Sequence, residues 1–176
     1  GAQAKGAAVK AQETCTPAER KAYEKKVAGE LEAIDTKIGD LRVKTSKVTG
    51  GVIEGALTAA LIDELPALAV LGAASEGGLT VRDAAELRVK ETDRIATVEA
   101  GLKRMGVKIE TAPDGFTIPG KQSFHAAEIE SAGDHRIAMA FSIAALAADG
   151  PCLIKDAGAA SVSYPAFFDT LAQIAK

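Results

Sequence analysis

Apolar residues recur at helical intervals in the first part of the chain, among many charged residues. Their spacing runs four, three, four and three residues, which places the side chains on one face of a helix. The apolar positions are Val27, Leu31, Ile34, Ile38 and Leu41. The tetrapeptide that starts at Thr16 supplies an N-cap, a proline at the first helical position and a capping-box glutamate. The pattern predicts an amphipathic helix over 16–38, preceded by a loose tail over 1–15 that lacks an apolar period.

Two kinds of partner are consistent with this apolar stripe. It could seed a coiled coil, although two heptads are too few to identify one. It could equally pack against the domain that follows it. The sequence leaves both alternatives open.

After residue 39, short β-like runs alternate with longer helical runs. The candidate strands are 41–43, 78–82, 107–111, 116–118 and 152–155, and the candidate helices are 63–76, 92–105, 134–148 and 165–175. Turns rich in Gly, Pro and Asp separate them. The alternation predicts an α/β (α+β) domain over 39–176.

This domain contains an internal repeat with an offset of 73 residues. The stretch LAVLGAASEGGLTVRDA (68–84) aligns with FSIAALAADGPCLIKDA (141–157), so that helix, acidic-glycine turn and strand coincide. The helices that follow are predicted to begin at Thr92 and Pro165, which have the same offset. The repeat predicts two copies of one α/β unit, over about 41–110 and 115–176.

Composition excludes several classes of protein. The net charge of -3 and the absence of Trp argue against a nucleic-acid-binding surface. Cys15 and Cys152 form neither a disulfide framework nor a zinc motif. No apolar run reaches the roughly 18 residues of a membrane span, and no signal peptide is recognisable. We therefore expect a cytoplasmic protein that binds neither nucleic acid nor membrane.

Charged residues crowd the predicted helix starts. They are Asp63, Lys90, Glu91, Arg94, His135 and Arg136. A cation at a helix N-terminus opposes the helix dipole by roughly 0.3–1 kcal/mol. Cations at two equivalent helix starts indicate a bound phosphate or carboxylate that offsets this cost. We expect all six side chains to lie on one face of the domain.

Ordinary structural roles remain open for these residues. Arg94 could simply pair with Asp93 or Glu91, and Lys90 could be a solvated surface lysine. His135 could be a core or cap residue, and Asp63 could be an N-cap. On spacing alone, the pattern indicates an anion-binding α/β domain with carboxylates nearby.

Four blocks of sequence resemble the signatures of the 5-enolpyruvylshikimate-3-phosphate synthase family. They are LIDELPALAV (61–70), AAELRVKETDRI (84–95), GDHRIAMAFSIAAL (133–146) and VSYPAFF (162–168), in the family's order and spacing. The resemblance covers about residues 39–176, the C-terminal part of that enzyme, and omits the first 38 residues. It implies a fold of repeated βαββαβ units, two of which are present here.

The resemblance also implies a reaction. The family transfers the enolpyruvyl group of phosphoenolpyruvate to shikimate 3-phosphate in aromatic amino-acid biosynthesis, without metal or cofactor. Asp63 would accept a proton at the shikimate end, Lys90 would contact shikimate 3-phosphate, and Glu91 would protonate the enol carbon. The implied phosphoenolpyruvate ligands are Arg94, His135 and Arg136.

Two departures limit what the resemblance implies. Val162 stands where one branch of the family has a lysine that contacts phosphoenolpyruvate. Family enzymes are also more than twice as long, and no motif of their opposite domain occurs here. We therefore expect one wall of a two-walled site, inactive alone, with a separate N-terminal domain or self-association through 16–38 as candidate partners. The alternative is a non-catalytic binding or assembly module derived from such an enzyme.

We expect substitution of Leu31 or Ile34 by Asp to reduce the helix content of the chain or its mass in solution. An isolated helix of this length is marginal in water, so it needs a packed apolar face to persist. Circular dichroism and sedimentation measure the two effects, with Glu30→Asp as the control. Helicity and mass that stay unchanged in both variants would show that the stripe packs against nothing.

Overall fold

The computed structural model describes residues 48–174. The tail predicted over 1–15, the helix over 16–38 and the strand over 41–43 lie outside these residues. The elements in chain order are β1 (Gly51–Ile53), α1 (Ala56–Ala60), α2 (Leu65–Ala74), β2 (Leu79–Val81), a 3-10 helix (Ala85–Val89), α3 (Arg94–Arg104), β3 (Glu110–Ala112), β4 (Gly115–Ile118), β5 (Glu128–Glu130), α4 (His135–Leu146), β6 (Leu153–Lys155), a second 3-10 helix (Ala157–Val162) and α5 (Phe167–Ile174).

Six short strands form two sheets in this part of the chain. The larger sheet has the order β1-β2-β4-β3, with β1 parallel to β2 and β4 antiparallel to both of its neighbours. Its register places Thr80 beside Val52 on one side and beside Thr117 on the other. The smaller sheet pairs β5 with β6 in parallel, with Ile129 beside Ile154. Mixed helices and strands confirm the predicted α/β (α+β) class.

Local sequence explains where the three longest helices begin. The carboxylate of Asp93 accepts a hydrogen bond from the N–H of Ala96 (3.0 Å) and caps α3. Asp134 caps α4 in the same way through the N–H of Arg136 (2.9 Å). In α2 the proline lies in the first turn, where its missing N–H breaks no helical hydrogen bond. Each helix start is therefore specified by its own residues before tertiary packing acts.

One hydrophobic core joins the helices to the sheets. Its fully buried side chains come from α2, α3, α4, β4 and β5, and they include Leu65, Ile95, Leu102, Ile118, Ile129 and Phe141. The helix α2 consists almost entirely of apolar residues. A helix of that kind is stable in water only when most of its surface is covered.

The two segments of the predicted repeat have the same secondary structure, which confirms that expectation. In each, a helix is followed by a strand, a 3-10 helix and a second helix. Asp83 and Asp156 occupy equivalent positions after β2 and β6, and both adopt the left-handed conformation, with φ of 59° and 52°. Few non-glycine residues do so, and the coincidence supports the alignment residue by residue. Segments 68–84 and 141–157 are called the first and second copy below.

Several elements differ from the sequence prediction. The strand predicted over 107–111 forms at Glu110–Ala112 instead, although Val107 and Ile109 are buried. The strands β1 and β5 and the short helix α1 were not predicted, and both 3-10 helices were missed. These elements have three to six residues each, which is too short for a periodic signal.

Equivalent positions in and around the two copies differ in burial. Val70 and Ala73 on α2 and Ile95 on α3 are buried. Their counterparts at the same offset are Ile143, Leu146 and Phe168, and all three are exposed. We call these three residues the open apolar face. Three large apolar side chains are thus in contact with water at positions where their repeat counterparts are buried.

We expect Gly101→Ala to lower the free energy of unfolding by about 1–3 kcal/mol, a cost typical of overpacking. A Cβ at Gly101 of α3 would lie 2.2 Å from Cζ of the Phe141 ring on α4. The ring is buried in the core, where a shift would disturb its neighbours. Urea denaturation measures the change, which should appear even though alanine favours helix over glycine by nearly 1 kcal/mol.

Gly158→Ala is the matched control, because a Cβ there meets no atom within 4 Å. Phe141→Leu should relieve the clash, so that the double variant loses less stability than the two single changes added together. Strict additivity would mean that the ring and the added methyl group do not meet.

Candidate active site

The charged residues found in the sequence lie at the starts of α2, α3 and α4. Asp63 precedes α2, Lys90 and Glu91 lie between the first 3-10 helix and α3, and Arg94 is the first residue of α3. His135 and Arg136 open α4. The side chain of Arg94 contacts a carboxylate at each of the three helix starts.

The guanidinium of Arg94 is the centre of the site. Its side chain is only 1% exposed, and three carboxylates surround it. Nε donates to Asp134 Oδ2 at 2.8 Å, and Nη1 donates to Asp63 Oδ1 at 3.0 Å. Nη2 donates to Glu91 Oε2 at 2.6 Å and to Asp134 Oδ1 at 3.3 Å. Burial alone would lower the pKa of Arg94, but Asp134, Glu91 and Asp63 raise it, so the group stays charged.

Asp134 is the functional residue that the sequence analysis missed. Its side chain is 0% exposed, and it joins α3 to α4. Besides Arg94 it accepts hydrogen bonds from Thr92 Oγ1 (3.1 Å), from the N–H of Arg136 (2.9 Å) and from the N–H of Ile137 (3.4 Å). Burial would raise the pKa of Asp134, yet Arg94 and these donors lower it. The Gly-Asp pair before an apolar run signalled an N-cap, but nothing in the sequence signalled the partner 40 residues away.

Lys90 and Asp63 form a second pair beside Arg94. Lys90 Nζ lies 2.7 Å from Glu86 Oε1 and 3.6 Å from Asp63 Oδ1. Its hydrogen bond with Glu86 raises the pKa of Lys90, and Asp63 adds to this. Partial burial would raise the pKa of Asp63, but Lys90, Arg94 and Arg136 together lower it. Asp63 is therefore held in its ionised form. The residues Asp63, Lys90, Glu91, Arg94 and Asp134 are called the Arg94 cluster below.

Arg136 lies next to this cluster. Its Nη1 donates to Glu64 Oε1 at 2.7 Å, and its backbone N–H reaches Asp134. Its Nε is buried and has no hydrogen-bond partner among the described residues. A groove of about 350 Å³ opens beside it, and its walls come from α2, α4 and α5. Arg136 thus combines a positive charge, an unused donor and adjacent space. His135, partly buried, precedes it in the first turn of α4.

The structure decides between the alternatives that the sequence left open for three of these residues. Arg94 does pair with Glu91 (2.6 Å), but Asp63 and Asp134 bind it as well, and Asp93 pairs instead with Arg88 (2.9 Å). Lys90 is not a solvated lysine, since it lies between two carboxylates. Asp63 does not cap α2, because the cap position is Glu64 and carries no side-chain cap hydrogen bond. For all three residues, the observed contacts favour a charged cluster over isolated surface residues.

This arrangement is suited to binding a small anion and to moving a proton. Two guanidinium groups and an ammonium group lie beside carboxylates at the N-termini of helices, where anions are stabilised. Among residues 48–174 no group of three side chains could hold a metal ion. No helix in the same range is long and apolar enough to cross a bilayer.

Comparison with known proteins gives a consistent result. The family model for EPSP synthase (3-phosphoshikimate 1-carboxyvinyltransferase) matches residues 5–171, a range that begins earlier than the motifs near Gly39. The 3-phosphoshikimate 1-carboxyvinyltransferase of Solibacter usitatus is 63% identical over 139 residues, which are 79% of this chain and 33% of that protein. The enzyme of the same name from Koribacter versatilis is 51% identical over 137 residues, or 78% and 32%.

A solved structure agrees with these relatives. EPSP synthase from Acinetobacter baumannii has a TM-score of 0.68 and 39% identity, and the match covers 71% of this chain and 30% of that one. The chain thus spans about a third of the length of the proteins that it matches.

We expect Asp134→Asn to lower the free energy of unfolding at pH 7 by about 3–5 kcal/mol, since it leaves the buried Arg94 without its main counter-charge. The lowered pKa of Asp134 fixes the sign of the pH dependence. Its contribution is present above the unfolded pKa of about 3.9 and is lost as the pH falls through the folded value. The gap between wild type and variant should therefore narrow below about pH 4.

Denaturant titrations at several pH values measure this gap. Asp169→Asn, an exposed aspartate in the first turn of α5, is the control and should change stability by no more than about 0.5 kcal/mol. A deficit for Asp134→Asn that is the same at pH 7 and at pH 3 would show that the negative charge does not matter.

Proposed function

Because this chain belongs to the EPSP synthase family, we propose that it forms part of an enzyme that transfers the enolpyruvyl group of phosphoenolpyruvate to a hydroxyl of shikimate 3-phosphate. In this proposal the Arg94 cluster and Arg136 form one wall of the active site. The main support for this proposal is the buried guanidinium of Arg94. It binds one carboxylate from each of the segments before α2, α3 and α4, namely Asp63, Glu91 and Asp134.

Phosphoenolpyruvate binding is assigned to Arg94 and Arg136. The substrate carries a phosphate and a carboxylate, and planar guanidinium groups bind both through paired hydrogen bonds. The positive charge of Arg136, which lines the groove, supports this role. His135 stands next to Arg136 in the first turn of α4 and would add a donor to the same anion.

Proton transfer is assigned to two carboxyl groups with different surroundings. Asp63 lies between Lys90 and Arg94, which lower its pKa and keep it ionised, and we assign it the role of acceptor of the substrate hydroxyl proton. Glu91 has a half-exposed side chain and a single guanidinium partner, so we assign it the role of proton donor to the enol carbon. The pair divides the acid and base roles that the reaction needs. Lys90, beside Asp63, would contact the shikimate phosphate.

One wall is not enough for turnover. Orientation of two substrates accounts for roughly 7–11 kcal/mol of such a barrier, and it requires groups on both sides of them. In the chain alone, Asp63 and Glu91 remain about half-exposed to water, which weakens every charge interaction in the site. We therefore propose that the isolated chain binds phosphoenolpyruvate weakly and does not convert it.

The open apolar face supports a role in assembly as well. Ile143, Leu146 and Phe168 are exposed where their counterparts in the first copy are buried. A further folded body, from the same polypeptide or from another, would remove them from water. This observation also favours the second candidate function, a non-catalytic assembly module. The two functions differ in whether Glu91 has a chemical role, and that difference can be tested.

A chimera tests this difference: residues 48–174 replace the matching part of the Solibacter usitatus relative. We expect this chimera to be active. The high identity of the two sequences favours a correctly packed boundary. Glu91→Gln in the chimera should lower the rate of phosphate release by about 10²–10⁴-fold, the usual contribution of general acid catalysis. The isolated chain, given both substrates, should release no phosphate.

Glu99→Gln is the matched control, since Glu99 lies on α3 and pairs with Lys103 (2.7 Å) away from the cluster. It should leave phosphate release unchanged. A folded chimera without activity, or one that Glu91→Gln leaves fully active, would contradict the enzymatic role. Rapid turnover by the isolated chain would contradict the one-walled site.

A further inference from the structure

The three carboxylates around Arg94 differ in how easily each can be displaced from the guanidinium. Asp134 is 0% exposed and is held by donors from Thr92 and from the start of α4. Water cannot replace Arg94 as its partner, so this bond is fixed. The side chains of Asp63 and Glu91 are 48% and 51% exposed. Water can solvate either carboxylate once it leaves the guanidinium.

Of these two, Glu91 is held less firmly. Asp63 also has Lys90 within 3.6 Å, so it keeps a cation when it loses Arg94. Among residues 48–174, Glu91 has no hydrogen-bond or ion-pair partner other than Arg94. The carboxylate of Glu91 is therefore the group that an incoming anion displaces most easily.

An anionic ligand needs the donors that these carboxylates occupy. A guanidinium has five N–H groups, and the three carboxylates take four of them. A bidentate anion requires two donors on one edge. Binding on the edge of Arg94 formed by Nη1 and Nη2 therefore requires Asp63 or Glu91 to move away.

We propose that an anionic ligand replaces Glu91 on Nη2 of Arg94, and that the released carboxylate then takes up a proton from solvent. This inference rests on the proposed function, because it assumes that Arg94 binds the anion. The proton uptake follows from charge. After release, Glu91 has lost its cation and faces a bound anion, with Asp63 and Asp134 nearby, and like charges favour the neutral carboxyl group.

The exchange would prepare the acid at the correct moment of the reaction. With no ligand present, Oε2 of Glu91 is held by Nη2 of Arg94 at 2.6 Å. Arrival of the anion both fills the site and loads Glu91 with the proton that the enol carbon needs. Asp134 keeps the guanidinium in place throughout, because its two bonds to Arg94 are not exchanged.

Other groups near the site also respond to pH. Besides Glu91, the guanidinium binds Asp63 and Asp134. Lys90 and Glu86 adjoin Asp63, Arg136 pairs with Glu64, and His135 precedes Arg136 at the start of α4. His135 is the one whose ordinary pKa, about 6.5, falls in the range where anion binding would be measured. The experiment therefore uses His135→Gln as a common background, with and without Glu91→Gln.

The test is a sulfate titration of the full chain at constant ionic strength, monitored by NMR. Sulfate stays a dianion between about pH 5 and pH 8, so the probe itself does not titrate, unlike the carboxyl and imidazole groups of the protein. The Nε–H signal of Arg94 reports binding at the site, and the side-chain carboxyl ¹³C signal of Glu91 reports its protonation. Thermal unfolding checks that each variant is folded.

In the His135→Gln background, sulfate should bind more tightly as the pH falls, by up to about tenfold per pH unit, the limit for one linked proton. The Glu91 signal should shift toward the protonated form as sulfate saturates the site. Adding Glu91→Gln should remove most of the pH dependence and tighten binding near pH 7.5 by about two- to fivefold, since a half-exposed competing charge is gone. Glu99→Gln should change neither property.

Two results would overturn the proposal, and they can be distinguished. If sulfate perturbs Arg94 but Glu91→Gln changes neither affinity nor pH dependence, the exchange is wrong while the anion site stands. If sulfate leaves the Arg94 signal unchanged in every variant, the proposed binding role of Arg94 fails together with the exchange.

Discussion

A positive charge held almost completely away from water is the constraint around which this domain is organised. Arg94 is 1% exposed, and an isolated buried charge would cost far more than the domain's net stability. Asp134 offsets that cost, and it can do so only if the starts of α3 and α4 are held together. The position of α2 follows, because Asp63 reaches the same guanidinium from the segment before that helix. The contacts that hold the three helix starts together are thus also the contacts that form the site.

The same constraint explains why the domain keeps its charged groups in a ligand-free state. Each cation of the site already has a carboxylate partner, so the site is balanced before any substrate arrives. The balance also means that the site is not an open positive pocket. An anion gains from Arg94 only the difference between its own interaction and that of the carboxylate it replaces, which favours selectivity over affinity.

Much of this could be predicted from the sequence because the signals were local. The helix starts, the 73-residue repeat and the six charged positions depend on residues close together in the chain. The structure shows the same secondary structure in both copies and contacts among Asp63, Lys90, Glu91 and Arg94. Asp134 was missed because an N-cap aspartate looks the same whether or not it binds a distant arginine. The strands β1 and β5 were missed because three residues carry no period. What the sequence could not reveal was the pairing across long separations, since that is fixed by tertiary packing.

The open apolar face has a thermodynamic consequence for anything that covers it. Burying aliphatic and aromatic surface lowers the heat capacity of the system, and the driving force is largely entropic near room temperature. Association through Ile143, Leu146 and Phe168 should therefore weaken on cooling. The affinity of such a complex should fall as the temperature is lowered. Calorimetry at several temperatures measures this change.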